Sequence, residues 1–169
     1  MNQPRSASVL IVEDDVDLRQ TLSDSLEAAG FAAAQAADAA DAIDRLKSFA
    51  YDAIVIDLHL PDANGMEVLD EAIGRYAQIQ AVVITGFGGV SDAVTAMKRG
   101  AIDFLIKPFQ LTQLARVLQG ALDQRRLREE NAELRAQLRD RFRFENIIGH
   151  HTTMRQLFST LEFIAPMNS

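Results

Sequence analysis

An α/β fold built on five parallel strands with helices on both faces is what this sequence predicts, on three observations. Four short apolar runs rich in β-branched residues recur along the chain: Val9–Val12, Ala53–Ile56, Ala81–Ile84 and Phe104–Ile106. Runs of this length and composition read as strands buried on both faces. Helix-length stretches with apolar residues at three- and four-residue spacing separate them, and such alternation specifies a parallel sheet reached by crossover helices. Each run then ends in a polar residue: Glu13-Asp14, Asp57, Thr85 and Lys107-Pro108.

The elements follow in order. After the first strand, Val16, Leu18, Leu22, Leu26 and Ala29 mark a helix that Gly30 stops. Phe31–Ala36 is a weak strand, because alanine is a poor strand former, and the alternation is the main argument for it. Asp38 caps a helix carrying Ala39, Ala42, Ile43 and Leu46. The third strand runs into Asp57, and Leu60-Pro61-Asp62-Ala63-Asn64-Gly65 forms a turn before a helix marked by Met66, Val68, Leu69 and Ile73. Thr85 opens the loop Gly86-Phe87-Gly88-Gly89, whose glycines are expected to make it mobile. A helix over Val90–Arg99 stops at Gly100, and the last helix begins near Leu111.

That last helix has no obvious stop. No proline lies between Leu111 and Arg141, and Gly120 is the only glycine there. Leu114, Val117, Leu118 and Ala121 suit packing on the sheet. Leu127, Asn131, Leu134 and Leu138 fall on a different register, spaced four, three and four as in a coiled-coil seam. The pattern is expected to break at Phe144–Gly149, with a short apolar helix marked by Met154, Leu157, Phe158 and Leu161 beyond it.

Composition narrows the function. The 169 residues include no cysteine, which excludes a disulfide framework and thiolate metal sites. The N-terminus is not a signal peptide, and no stretch approaches the roughly 20 apolar residues of a membrane span. A cytoplasmic protein with no membrane partner is expected. Residues 1–110 hold 17 acids against 8 bases, so this part is unsuited to direct nucleic-acid binding. Arg125, Arg126 and Arg128 alternate with Glu129, Glu130 and Glu133, which reads as a solvated helix rather than a DNA-binding arm.

Ligands of such sheets bind outside the carboxyl ends of the strands. Glu13, Asp14, Asp15, Asp57, Thr85 and Lys107 all fall on that rim. Any one acid there reads equally as a helix cap or solvated surface. Three adjacent acids opposite a fourth repel one another, and a hard divalent cation such as Mg²⁺ relieves the conflict. Asp57 is a candidate carboxylate nucleophile for phosphoryl transfer. The backbone carbonyl of His59 could complete the metal shell, while its imidazole reads as plain surface. Lys107 can bind a phosphoryl oxygen as a point charge, its direction restricted by Pro108. Thr85 either bonds its own loop or offers its hydroxyl to the phosphate. Gly86-Phe87-Gly88-Gly89 is neither a P-loop nor a dinucleotide fingerprint.

The set Val12-Glu13-Asp14-Asp15, Asp57 within Val55–Gly65, Thr85 and Lys107-Pro108-Phe109 resembles the receiver domain of two-component response regulators over residues 8–125. The resemblance implies a flavodoxin-like (βα)5 fold with strand order 2-1-3-4-5. It implies that Asp57 accepts phosphate from a sensor histidine kinase, with Mg²⁺ held by Asp14, Asp57 and the His59 carbonyl, and by Glu13 through water. Thr85 and Phe104 would form the switch pair; Phe104 replaces a tyrosine common there and offers no hydroxyl.

A narrower likeness joins Gly86-Phe87-Gly88, Ala93-Val94, Ala96–Leu105 and the stretch Ile147–Pro166 to sigma-54-dependent activators of the nitrogen-regulator (NtrC) class. It implies a coiled-coil linker over 126–143 and the start of an AAA+ domain over 144–169. The sequence holds no G-x-x-x-x-G-K-[ST] phosphate loop and reads as an excised regulatory fragment. Contacts with sigma-54 RNA polymerase and DNA would then belong to domains outside it, and a homodimer would form through the linker helix and the receiver. A monomeric helix packing on an ATPase domain is the alternative. A rival aspartyl-phosphate phosphatase would need an acid at position 59, where His59 stands. A receiver acting unphosphorylated would be expected to lack the acid pair or Lys107.

Overall fold

Residues 6–164 are described by the computed structural model, and the core residues of the sheet sort into two layers. Five strands and five helices alternate: β1 Ser8–Val12, α1 Val16–Ala28, β2 Ala32–Ala36, α2 Ala39–Ser48, β3 Ala53–Asp57, α3 Gly65–Arg75, β4 Gln80–Thr85, α4 Val90–Lys98, β5 Asp103–Ile106 and α5 Leu111–Ile164. The sheet is wholly parallel in the order β2-β1-β3-β4-β5, as expected.

Period-two alternation along each strand divides the core. Leu10, Val12, Ile54, Ile56, Ala81 and Val83 face α2, α3 and α4, burying Leu46, Val68, Leu69 and Ala96. Val9, Ile11, Val55, Val82 and Ile84 face α1 and the start of α5, burying Leu22, Leu26, Leu114 and Leu118. Each fully buried aliphatic side chain contributes about 1.5–3 kcal/mol. Central strands β1, β3 and β4 are therefore apolar between their end residues, whereas alanine-rich β2 is an edge strand and only partly covered.

Helix ends follow local chemistry. Asp15, Asp38 and Asn64 each accept a hydrogen bond from a first-turn amide of α1, α2 and α3. Gly30 and Gly100 stand just past α1 and α4 with φ of 95° and 104°, the left-handed conformation glycine adopts without strain. Gly89 caps α4, and its amide donates to the Asp92 carboxylate at 3.1 Å.

The chain divides into two units between Arg125 and Arg126. The second is helical through Ile164, so the expected break at Phe144–Gly149 is absent and α5 continues across it. A single interior glycine costs a helix only about 1 kcal/mol, and no proline intervenes. Leu127, Leu134, Leu138 and Phe142 are exposed on this unit. Among the described residues no helix is long and apolar enough to cross a membrane.

Candidate phosphoacceptor site

Sheet register brings the polar strand ends together. Val12 lies opposite Ile56, Asp57 opposite Ile84 and Thr85 opposite Ile106. Glu13, Asp57, Thr85 and Lys107 thus emerge on one rim, within a residue of their strands' last pairs.

Lys107 stands between two buried acids. Its Nζ donates to Glu13 Oε2 at 2.8 Å and to Asp57 Oδ2 at 2.5 Å. Glu13 is 1% exposed and Asp57 4%, whereas Asp14 faces solvent. One ligand oxygen from each of Glu13, Asp14 and Asp57 lies within 4.8 Å of the others. Burial, with the Asp57 carboxylate adding to it, raises the Glu13 carboxyl to about 7 against the pull of Lys107. Burial alone would lower Lys107, but its hydrogen bonds to Asp57 and Glu13 outweigh that and raise it. Three acids around one lysine leave the rim short of positive charge. Hard oxygen donors at this spacing fit a divalent cation that keeps part of its water.

The surrounding loops are tied in place. Arg19 of α1 donates from Nη1 to the carbonyls of Glu13 at 2.6 Å and Asp14 at 3.2 Å, gathering the acidic turn against its own repulsion. Asp15 points away as the α1 cap, so of the three adjacent acids only Glu13 and Asp14 join the cluster. Asp62 accepts from the Ala39 and Ala40 amides at the start of α2, which holds its carboxyl below the usual range and anchors the β3–α3 loop. That loop returns so closely over Asp57 that a Cβ on Gly65 would lie 2.2 Å from the Asp57 carbonyl oxygen. The Lys107–Pro108 peptide is cis.

Thr85 is fully buried. Its Oγ1 accepts from the Phe87 amide at 3.2 Å and lies 3.1 Å from His59 Nδ1. The His59 amide donates to Asp57 Oδ1 at 2.9 Å. The imidazole is exposed, as expected, but it is not plain surface, because it partners the Thr85 hydroxyl. Phe104 is half-buried, and its ring and the Thr85 methyl both crowd Gly88: a Cβ there would lie 2.4 Å from Thr85 Cγ2 and 2.8 Å from Phe104 Cζ. Gly88 therefore answers a need for space.

Arg19, Asp62 and the steric roles of Gly65 and Gly88 escaped sequence reasoning. The glycines were legible as turn residues only, and a lone arginine on a helix carries no sign that it will reach two carbonyls.

Known proteins bear on the same rim. Residues 9–119 match the family described as "Response regulator receiver domain". The chain is 32% identical over 163 residues to the nitrogen assimilation regulatory protein NtrX of Azorhizobium caulinodans, covering 95% of this chain and 35% of that protein. It is 37% identical over 151 residues to the C4-dicarboxylate transport transcriptional regulatory protein DctD of Pseudomonas aeruginosa, covering 88% and 32%. It spans about a third of the length of these relatives. Among solved structures, NtrX from Brucella abortus in complex with ATP superposes with a TM-score of 0.70 at 32% identity, over 76% of this chain and 30% of that one. With the parallel sheet in 2-1-3-4-5 order and the acidic pocket of Glu13, Asp14 and Asp57 at its rim, this chain belongs to the response regulator receiver family.

Proposed function

We infer that Asp57 is the phosphoacceptor of a two-component response regulator, taking a phosphoryl group from the phosphohistidine of a cognate sensor kinase. The observation that carries this is the convergence on Asp57 of two further acids and a lysine from strands distant in sequence. A carboxylate oxygen of Asp57 attacks phosphorus, a P–O bond forms, and the P–N bond to the donor breaks. Lys107 neutralises charge on Asp57 and is placed to follow it onto a phosphoryl oxygen. Asp14 and Asp57, with Glu13 through water and the His59 carbonyl, would hold Mg²⁺, whose charge offsets the repulsion among the acids and draws phosphoryl oxygens toward Asp57. The Thr85 hydroxyl then bonds the phosphoryl group, and the Phe104 ring moves with it past Gly88. Intact mass spectrometry after incubation with acetyl phosphate and Mg²⁺ tests the assignment: wild type gains one phosphate, and Asp57→Asn gains none.

Likeness to NtrX and DctD supports placing residues 8–125 as the receiver of a sigma-54-dependent activator of the NtrC class. Residues 126–143 are then a linker and 144–169 the start of an AAA+ domain. Polymerase and DNA contacts fall to domains outside this sequence. The exposed seam Leu127, Asn131, Leu134 and Leu138 supports a second copy of the chain as partner, with Leu127 and Leu134 at d and Asn131 at a favouring a two-stranded, in-register pair. Fewer than three heptads make the seam weak, so receiver contacts contribute. Sedimentation equilibrium should show wild type paired at concentrations where Leu134→Asp with Leu138→Asp has dissociated, because two facing carboxylates resist desolvation. An unchanged dimer would move the interface onto the receiver.

A further inference from the structure

The hydrogen-bond accounting at Thr85 leaves one proton to place. Thr85 is fully buried, and its oxygen already accepts from the Phe87 amide. A hydroxyl carries one proton to donate. Among the described residues, no buried side-chain nitrogen or oxygen lacks a partner. The atom facing the Thr85 oxygen is His59 Nδ1, at 3.1 Å. With the ring proton on Nε2, Nδ1 accepts the Thr85 hydroxyl and the network closes. With the proton on Nδ1, the buried hydroxyl proton has no acceptor. The first arrangement satisfies both groups.

We propose that the His59 imidazole is a positioning residue, which holds the Thr85 hydroxyl in the unphosphorylated protein and must release it before that hydroxyl can bond a phosphoryl group on Asp57. The inference rests on the reading of Thr85 as the switch hydroxyl. His59 belongs to the loop that folds over Asp57, and its own amide bonds the Asp57 carboxylate. One residue thus touches the acceptor with its backbone and the switch with its side chain. Because the ring is exposed, it regains water when the hydroxyl leaves, so the latch opposes switching by about one neutral hydrogen bond. A bond of that size sets a threshold without blocking the switch.

Removing the acceptor should therefore ease switching. Beryllofluoride with Mg²⁺ serves as the phosphoryl probe, and hydrogen exchange over Val90–Ile106 reads the response. His59→Leu is expected to lower the half-saturating beryllofluoride concentration about fivefold, the equivalent of one hydrogen bond. His59→Asn keeps an acceptor in the δ1 position and should behave as wild type. In a Thr85→Ala background, His59→Leu should have no effect, a coupling that a merely structural role for the ring would not produce. An unchanged or raised half-saturation in His59→Leu, an equal shift in the Thr85→Ala background, or no rescue by His59→Asn would each overturn the latch. If wild type itself gives no response that requires Asp57, the phosphoacceptor reading fails and the latch falls with it.

Discussion

The two rims of the sheet hold the same kinds of group and treat them in opposite ways. At the amino ends of the strands, Asp52 accepts the Ser8 amide at 2.9 Å and the Ser8 hydroxyl at 3.1 Å on one oxygen, and Arg125 at 2.9 Å on the other. Arg125 also donates to the Asp52 and Gln78 carbonyls. Both carboxylate oxygens are filled. Although partial burial opposes it, the Ser8 amide, Arg125 and the Ser8 hydroxyl together hold the Asp52 carboxyl below its usual range. At the carboxyl ends, Glu13 and Asp57 share Lys107 with Asp14 beside them, and burial raises Glu13 to about 7. At the amino ends the carboxylate has both oxygens satisfied, whereas the other rim is left short of positive charge.

Replacing acids at the two rims should break that symmetry most visibly. Asp52→Ala removes the acceptor of three donors and should cost about 2–3 kcal/mol of stability, measured by urea denaturation. Asp57→Asn relieves repulsion with Glu13 and should raise stability in EDTA by about 1 kcal/mol while abolishing phosphate uptake. Equal losses from both variants would erase the distinction.

The pH dependence sharpens it. Glu13 titrates at 4.5 when unfolded and at about 7 when folded. Between those values the unfolded state binds fewer protons, so stability falls as pH rises and levels off above about 7. Asp52 acts with the opposite sign: its folded value lies below 3.8, so its contribution is fully present above 3.8 and is lost as pH falls through the folded value. Denaturation in EDTA across this range should show both slopes. Glu13→Gln should abolish the upper one alone.

A smaller loss than at Asp52 is expected at Gly88. Gly88→Ala forces the Thr85 methyl and the Phe104 ring to shift and should cost about 1–2 kcal/mol, read from thermal melts. Gly86→Ala meets nothing within 4 Å and should be near neutral by the same measure.

How much of this was legible depended on whether the signal was local. The strands announced themselves as aliphatic runs, and a parallel sheet then obliges Glu13, Asp57, Thr85 and Lys107 to share a rim, though 94 residues separate the first from the last. Even the alanine-rich β2 could be inferred, because the alternation demanded an element there. Pairings across the fold left no such trace. Asp52 with Arg125, 73 residues apart, looks in sequence like an acid before a strand and an arginine in a charged helix. His59 likewise gave no sign that its ring would reach Thr85, since that contact depends on a loop pinned by Asp62 and folded over Gly65. The course of α5 beyond Phe142 was misjudged because a lapse in seam periodicity was read as a break in the helix, and backbone helicity requires no seam.

Borohydride trapping tests the central claim most directly, that the charge-deficient rim exists to phosphorylate Asp57. Reduction of an aspartyl phosphate converts that residue to homoserine, which peptide mapping locates. After treatment with acetyl phosphate and Mg²⁺, homoserine should appear at position 57 alone and vanish when Mg²⁺ is chelated. Homoserine at position 14 instead, or an undiminished phosphate adduct on Asp57→Asn, would contradict the account.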